Sequence, residues 1–120
     1  MLILARHGQT AANAAGHLLG RADPPLTEEG HRQAAALGAV LGDASLIISS
    51  PLQRARQTAE ADVVVVSHVS PIKAGVAWAL GTGDEVAWRM YVALASITRI
   101  GVTERGPILR SFNEVAHLLR

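Results

Sequence analysis

Val63-Val64-Val65-Val66-Ser67-His68-Val69-Ser70-Pro71 is the stretch on which the fold turns. Four consecutive valines put apolar side chains on both faces of a strand, the pattern of a parallel strand covered from both sides. The run stops at Ser67-His68, and Ser70-Pro71 then reads as a helix start, with Ser as cap and Pro in the first turn. The same arrangement recurs upstream. Leu2–Ala5 is a short apolar run that stops at Arg6-His7-Gly8. Leu46–Ser49 is another, followed by Ser50-Pro51-Leu52-Gln53, in which Ser50 and Gln53 can form a capping box. That helix is expected to run through Glu60 and to bury Leu52, Ala55 and Ala59.

Between these units, Gly16, Gly20, Pro24 and Pro25 mark an irregular segment. Thr27 then caps a helix with Glu28 and Glu29 in its first turn, and Ala34, Leu37 and Leu41 share one face before Gly42 closes it. After the His68 loop, Ile72, Val76, Ala79 and Leu80 predict another apolar helix face ending at Gly81. A short helix near Glu85–Arg89 follows, then strands at Val92–Val102 and Pro107–Asn113 joined by a turn at Thr103–Gly106. This alternation predicts one α/β domain over residues 1–120, a three-layer sandwich around a mainly parallel sheet.

Composition narrows the functional classes. The chain is 49% hydrophobic and therefore globular, but aromatic residues make up only 3%, so large aromatic-lined cavities are not expected. A net charge of +1 speaks against a nucleic-acid partner, which would need a broad basic face. Without cysteine, thiolate metal sites and Cys nucleophiles are excluded, and no His pair has metal-ligand spacing on one helix. No apolar run approaches membrane-spanning length and the start is too short for a secretory signal, so a cytoplasmic location is expected.

The chemistry collects at the strand ends. In an open parallel sheet, ligands bind outside the carboxyl ends of the strands. That rule brings Arg6 and His7, Arg54 and His68 to one crevice, with two helix N-termini pointing toward it. Two arginines and two histidines suit a small, highly charged anion such as a phosphoryl group.

Arg6-His7-Gly8-Gln9-Thr10, Asn13, Leu26-Thr27-Glu28-Glu29-Gly30, Ser49-Ser50-Pro51-Leu52-Gln53-Arg54-Ala55 and Ser67-His68, in that order, resemble the histidine phosphatases. This superfamily comprises cofactor-dependent phosphoglycerate mutases and many phosphomonoesterases. Ser67-His68-Val69-Ser70-Pro71-Ile72-Lys73 is similar to the acid-phosphatase or α-ribazole-phosphatase-like branch, which includes bacterial domains fused to ribonuclease H. The resemblance implies a phosphoglycerate mutase-like fold and a metal-independent hydrolase without cofactor. His7 would become phosphohistidine, while Arg6, Arg54 and His68 bind the phosphoryl oxygens. Asn13, Gly8 and Val69 would complete the substrate site, and the two arginines would lower the His7 pKa. The implied partner is a small phosphorylated substrate, and a homodimer stays open. A catalytically impaired phosphate-ester-binding module and a phosphoglycerate mutase-type phosphotransferase are the competing functions.

One departure stands out. The family carries an acidic residue, an edge strand and cap helices between the Arg54 helix and the His68 strand. Here only Ala61 and Asp62 join the two, without turn-forming residues. The chain is then a reduced member of the family, or one lacking a segment near 61–62, or part of a longer protein. Glu60, Asp62, Asp84 and Glu85 are expected to lie away from the crevice. Arg56, His17, His31 and His117 are expected on the surface, Trp78 and Trp88 in core or cap packing, and Arg89 in a salt bridge.

Overall fold

The computed structural model describes residues 1–44, 46–59 and 65–119. Along the chain run β1 (Leu2–Arg6), α1 (Ala11–Ala14), α2 (Glu28–Leu41), β2 (Ile48–Ser49), α3 (Gln53–Ala59), β3 (Val65–Ser67), α4 (Val69–Leu80), β4 (Ile97–Thr103) and β5 (Gly106–Glu114). Short 3-10 segments lie at Asp84–Arg89 and Ala116–Leu118. The expected junction at 61–62, Glu60 and the first valines fall outside the described residues.

The five strands form one sheet in the order β2-β3-β1-β4-β5. β1 and β2 both pair with β3 in parallel, while β4 runs antiparallel to β1 and β5 antiparallel to β4. The sheet is thus mixed: a parallel half carrying the polar strand ends, and a hairpin that completes it. Alternation along β1 builds three layers. Ala5 joins Leu37, Ala55, Val66 and Ile97 beneath α2 and α3, whereas Leu4 joins Ile72, Val92 and Ile100 beneath α4. Among the described residues, no helix is long and apolar enough to cross a membrane.

Several boundaries differ from the sequence reading. The second strand spans only Ile48–Ser49. α3 starts at Gln53 rather than Pro51, because its first N–H is bound by Asp23 Oδ1 at 2.6 Å instead of by a Ser50–Gln53 box. α4 starts at Val69 with His68 as N-cap and no side-chain cap, so Ser70 does not cap it. Ala77 is buried on α4, while Leu80 is 51% exposed.

The expected strand at Val92–Val102 begins only at Ile97. Its first residues make an irregular bend with Ala95 at φ 53°. Their backbone groups serve the neighbouring loop rather than a ladder: Val92 O accepts from Arg6 Nη1 at 2.6 Å, and Ala95 N–H donates to His7 O at 3.1 Å.

Trp78 and Trp88 are not core: they are 52% and 92% exposed. Arg89 forms no ion pair among the described residues. The salt bridges seen there are Arg32–Glu29 and Arg99–Glu114.

Candidate active site

His7 lies one residue beyond β1, and its backbone is held from two sides. Its N–H donates to Ser67 O at 3.2 Å and its C=O accepts from Ala95 N–H. The chain then passes close against α2 at Gly8. A Cβ there would lie 2.6 Å from Gly30 O, and one on Gly30 would lie 2.2 Å from Gln9 O. Only glycines let the loop and α2 approach so closely. Gly8 N–H donates to the buried Thr58 hydroxyl at 3.0 Å, and that hydroxyl donates to Arg54 O at 2.7 Å. One side chain thereby ties the His7 loop to the helix that carries Arg54.

The imidazole is 3% exposed, and its Nδ1 lies 2.8 Å from Gly8 O. A carbonyl only accepts, so Nδ1 carries the proton and Nε2 keeps its lone pair. Burial is the first reason that the His7 pKa is pushed down to about 4, with Arg6, His68 and Arg54 adding to the shift and the Gly8 hydrogen bond opposing it. The two arginines thus lower the His7 pKa as expected, behind the larger effect of burial. A neutral imidazole with a free Nε2 is suited to attack an electrophile.

The shift fixes a pH dependence. Because the folded pKa lies below the unfolded value of about 6.5, the native state binds fewer protons between roughly pH 4 and 6.5. Stability from this group is complete above that window and is lost as pH falls through it. An imidazole NMR titration should show His7 unchanged from pH 8 to 5 and titrating near pH 4. A midpoint near 6.5 would contradict the buried, neutral assignment.

Around His7 the structure gathers cationic and donor groups, and among the described residues no carboxylate lines the crevice. Arg54, 4% exposed, is anchored by the loop carbonyls Ala22 O at 2.7 Å and Gly20 O at 3.4 Å. Burial lowers the pKa of both arginines, and neither forms an ion pair among the described residues. The His68 ring centroid lies 5.2 Å from that of His7, and burial followed by Arg54 and Arg6 lowers its pKa. Four buried side-chain atoms among the described residues lack a hydrogen-bond partner. Three are Arg6 Nε, Arg54 Nε and His68 Nε2, and the fourth is Ser96 Oγ. Buried polar groups are normally paired, so the three nitrogens of Arg6, Arg54 and His68 stand available to a ligand.

Arg6, His7, Arg54 and His68 line a crevice of ≈ 450 Å³ together with Asn13, Val69, Ser70, His17 and Leu18. Asn13 belongs to α1, an element the sequence reading did not anticipate, and forms a capping box with Thr10. Its Oδ1 accepts from Thr10 N–H at 3.0 Å and from the Thr10 hydroxyl at 2.9 Å, which leaves its amide N–H groups as donors. Val69 and Ser70 open α4, whose first N–H groups have no intrahelical partner. The other expected N-terminus, that of α3, is already occupied by Asp23. Gly8 sits behind His7, its N–H committed to Thr58. His17, read as a surface residue, is exposed yet lines the crevice, while Arg56 and His31 are solvated as expected. His117 is drawn inward to Ala95 O at 2.8 Å.

The roles of Thr58, Asp23 and Gly30 were missed because each depends on a partner 20 or more residues away. The Thr10–Asn13 pair was a legible capping signal.

The chain is similar to known proteins in sequence and in fold. Over 60 residues the chain is 48% identical to the adenosylcobalamin/alpha-ribazole phosphatase of Salmonella typhimurium, covering 48% of this chain and 30% of that protein. It is 45% identical over 60 residues to the glucosyl-3-phosphoglycerate phosphatase of Mycobacterium tuberculosis, covering 48% of this chain and 27% of that protein. The chain thus spans under a third of the length of these curated relatives. In fold it is similar to the phosphoserine phosphatase of Entamoeba histolytica solved with 3-phosphoglyceric acid (TM-score 0.88, 21% identity, 98% of each chain). It is also similar to a putative alpha-ribazole-5′-P phosphatase of Escherichia coli (TM-score 0.84, 20% identity, 93% of this chain and 95% of that one). Residues 2–61 and 60–115 match the sequence profile of the histidine phosphatase superfamily, branch 1, and the chain belongs to that superfamily.

Proposed function

We propose that the chain hydrolyses phosphomonoesters through a phosphohistidine on His7. The observation that carries this reading is the meeting of a neutral imidazole, its Nε2 unbound, with three buried nitrogens that lack partners. Arg6, Arg54 and His68 hold the phosphoryl oxygens and take up the charge that spreads over them in the transition state. The Asn13 amide and the Val69 N–H at the start of α4 add neutral donors, and Gly8 orients the His7 ring.

His7 Nε2 attacks phosphorus as the ester P–O bond breaks, and the leaving group departs with the bonding pair as an alkoxide or phenolate that takes its proton from water. A water then attacks the phosphorus, the N–P bond breaks, and inorganic phosphate departs from regenerated His7. The exposed His17 and Leu18 at the rim leave water free to enter. That access favours hydrolysis over a mutase, which must shield its phosphoenzyme. The phosphatases named among the relatives support the same class.

A second reading, an impaired module that binds phosphate esters without turning them over, draws on one observation. Among the described residues, no carboxylate lines the crevice.

Arg54→Ala tests the anion site common to both. Removing a charge-assisted contact should cost about 1.5–3 kcal/mol, a roughly 10- to 150-fold rise in the Kd of inorganic phosphate by calorimetry. An unchanged Kd would remove Arg54 from the site.

A further inference from the structure

Among the described residues, Ala95 and Asn113 are the non-glycine residues at positive φ, at 53° and 57°. Asparagine tolerates that region, whereas the Cβ of alanine makes it costly. Ala95 is also fully buried. Backbone strain of this kind persists only where the surrounding bonds over-determine it, and it collects at functional sites. Two bonds hold Ala95. Its N–H donates to His7 O at 3.1 Å, and its C=O lies 2.8 Å from His117 Nε2. A carbonyl only accepts, so His117 Nε2 carries the proton and donates it.

His117 is itself fixed in place. It belongs to the 3-10 segment Ala116–Leu118, and Leu118 packs against the core cluster that contains Ala95 and Leu37. On the other side of Ala95 lies the peptide unit between His7 and Gly8. That unit is planar and is pinned at both ends, its oxygen by Ala95 N–H and its N–H by the Thr58 hydroxyl at 3.0 Å. The preceding peptide is held by the bond from His7 N–H to Ser67 O. Together these bonds set φ and ψ of His7, and so the direction in which its ring leaves the backbone.

We infer that His117 is a positioning residue for the nucleophile: by holding Ala95 in its strained conformation, it keeps Ala95 N–H on His7 O and the His7 ring aimed into the crevice. Without the His117 bond, Ala95 is free to leave the left-handed region, and its N–H swings away from His7. The anion clamp rests on other bonds. Arg54 is anchored on Ala22 O and Gly20 O, and Arg6 on Val92 O. Next to Val92, Ala93 N–H donates to Asn113 Oδ1 at 2.8 Å, which holds the start of the bend independently of His117. Loss of His117 therefore acts on the attack and leaves the anion site standing. This inference rests on the phosphatase reading of His7, so its test separates the two.

His117→Ala and His117→Gln are compared with the parent 120-residue chain, since the glutamine amide can donate in place of Nε2. A misplacement of about 1 Å costs about 10²-fold in rate, so His117→Ala should lower kcat for p-nitrophenyl phosphate roughly 10- to 100-fold. The Kd of inorganic phosphate, measured by calorimetry, should stay unchanged, which also certifies the fold. His117→Gln should recover most of the rate. Hydrogen exchange at the Ala95 amide, followed by NMR, should quicken several-fold in His117→Ala and not in His117→Gln.

An unchanged kcat in His117→Ala, or a kcat that stays low in His117→Gln, would overturn the positioning role and leave the phosphatase reading intact. Rate and phosphate affinity falling together would overturn it too, because that marks a general disturbance of the site. A parent chain that binds phosphate but turns nothing over would overturn the phosphatase reading, and this role with it.

Discussion

His7→Ala is expected to lower the rate of p-nitrophenyl phosphate hydrolysis by roughly 10⁴–10⁶-fold, the scale on which removal of a covalent nucleophile acts. The expectation follows from position and protonation together. His7 is buried, its Nδ1 proton is fixed on Gly8 O, and its Nε2 has no hydrogen-bond partner among the described residues in a crevice that Arg6, Arg54 and His68 also line. Because the side chain is buried, loss of fold has to be separated from loss of chemistry. Inorganic phosphate should still bind the variant through Arg6, Arg54 and His68, and retained phosphate affinity certifies the fold. A variant that binds phosphate and still turns over at the parent rate would remove His7 from the reaction.

Leaving-group dependence is the second large effect. Protonating a departing alkoxide contributes about 10²–10⁴ in rate. Among the described residues, the crevice offers no carboxylate to do so, and Asp23 is engaged by the Gln53 N–H at 2.6 Å. A nitrophenolate leaves unaided, whereas the alkoxide of a glycerol or sugar phosphate does not. The 120-residue chain should therefore cleave p-nitrophenyl phosphate slowly and alkyl phosphates roughly 10²–10⁴-fold more slowly still, with a steep dependence on leaving-group pKa. Similar, fast chemical-step rates for both would mean that a donor is present. His17, the exposed imidazole in the crevice wall, and Asp23 would be the first to replace.

How much of this could be read from the chain depends on how local each cause is. An apolar run ending in Arg-His-Gly or Ser-His carries its own strand and strand end, and the topology rule for parallel sheets then brings Arg6, His7, Arg54 and His68 together. The Thr27 cap and the Leu37 face of α2 were legible for the same reason: donor, acceptor and periodicity lie within one helix. What escaped was set by distant partners. Asp23 reaches across 30 residues to cap α3, so the local Ser50–Gln53 signal is overruled. The strand expected from Val92 is delayed because its first backbone groups bond to Arg6 and His7 instead of to a neighbouring strand. Trp88 was expected to pack, as a tryptophan usually does. Nothing in its neighbourhood of the sequence says that the alanines facing it leave a groove instead.

The most direct test of the account is to isolate the phosphoenzyme. Brief incubation with a radiolabelled phosphomonoester, followed by quenching, should give a covalent adduct that survives alkali and is lost in acid, the stability of a phosphoramidate bond. It should map to the peptide containing His7 and be absent from His7→Ala. A label with the acid stability of phosphoserine, or one that persists in His7→Ala, would contradict the assignment of His7 as the group that accepts the phosphoryl.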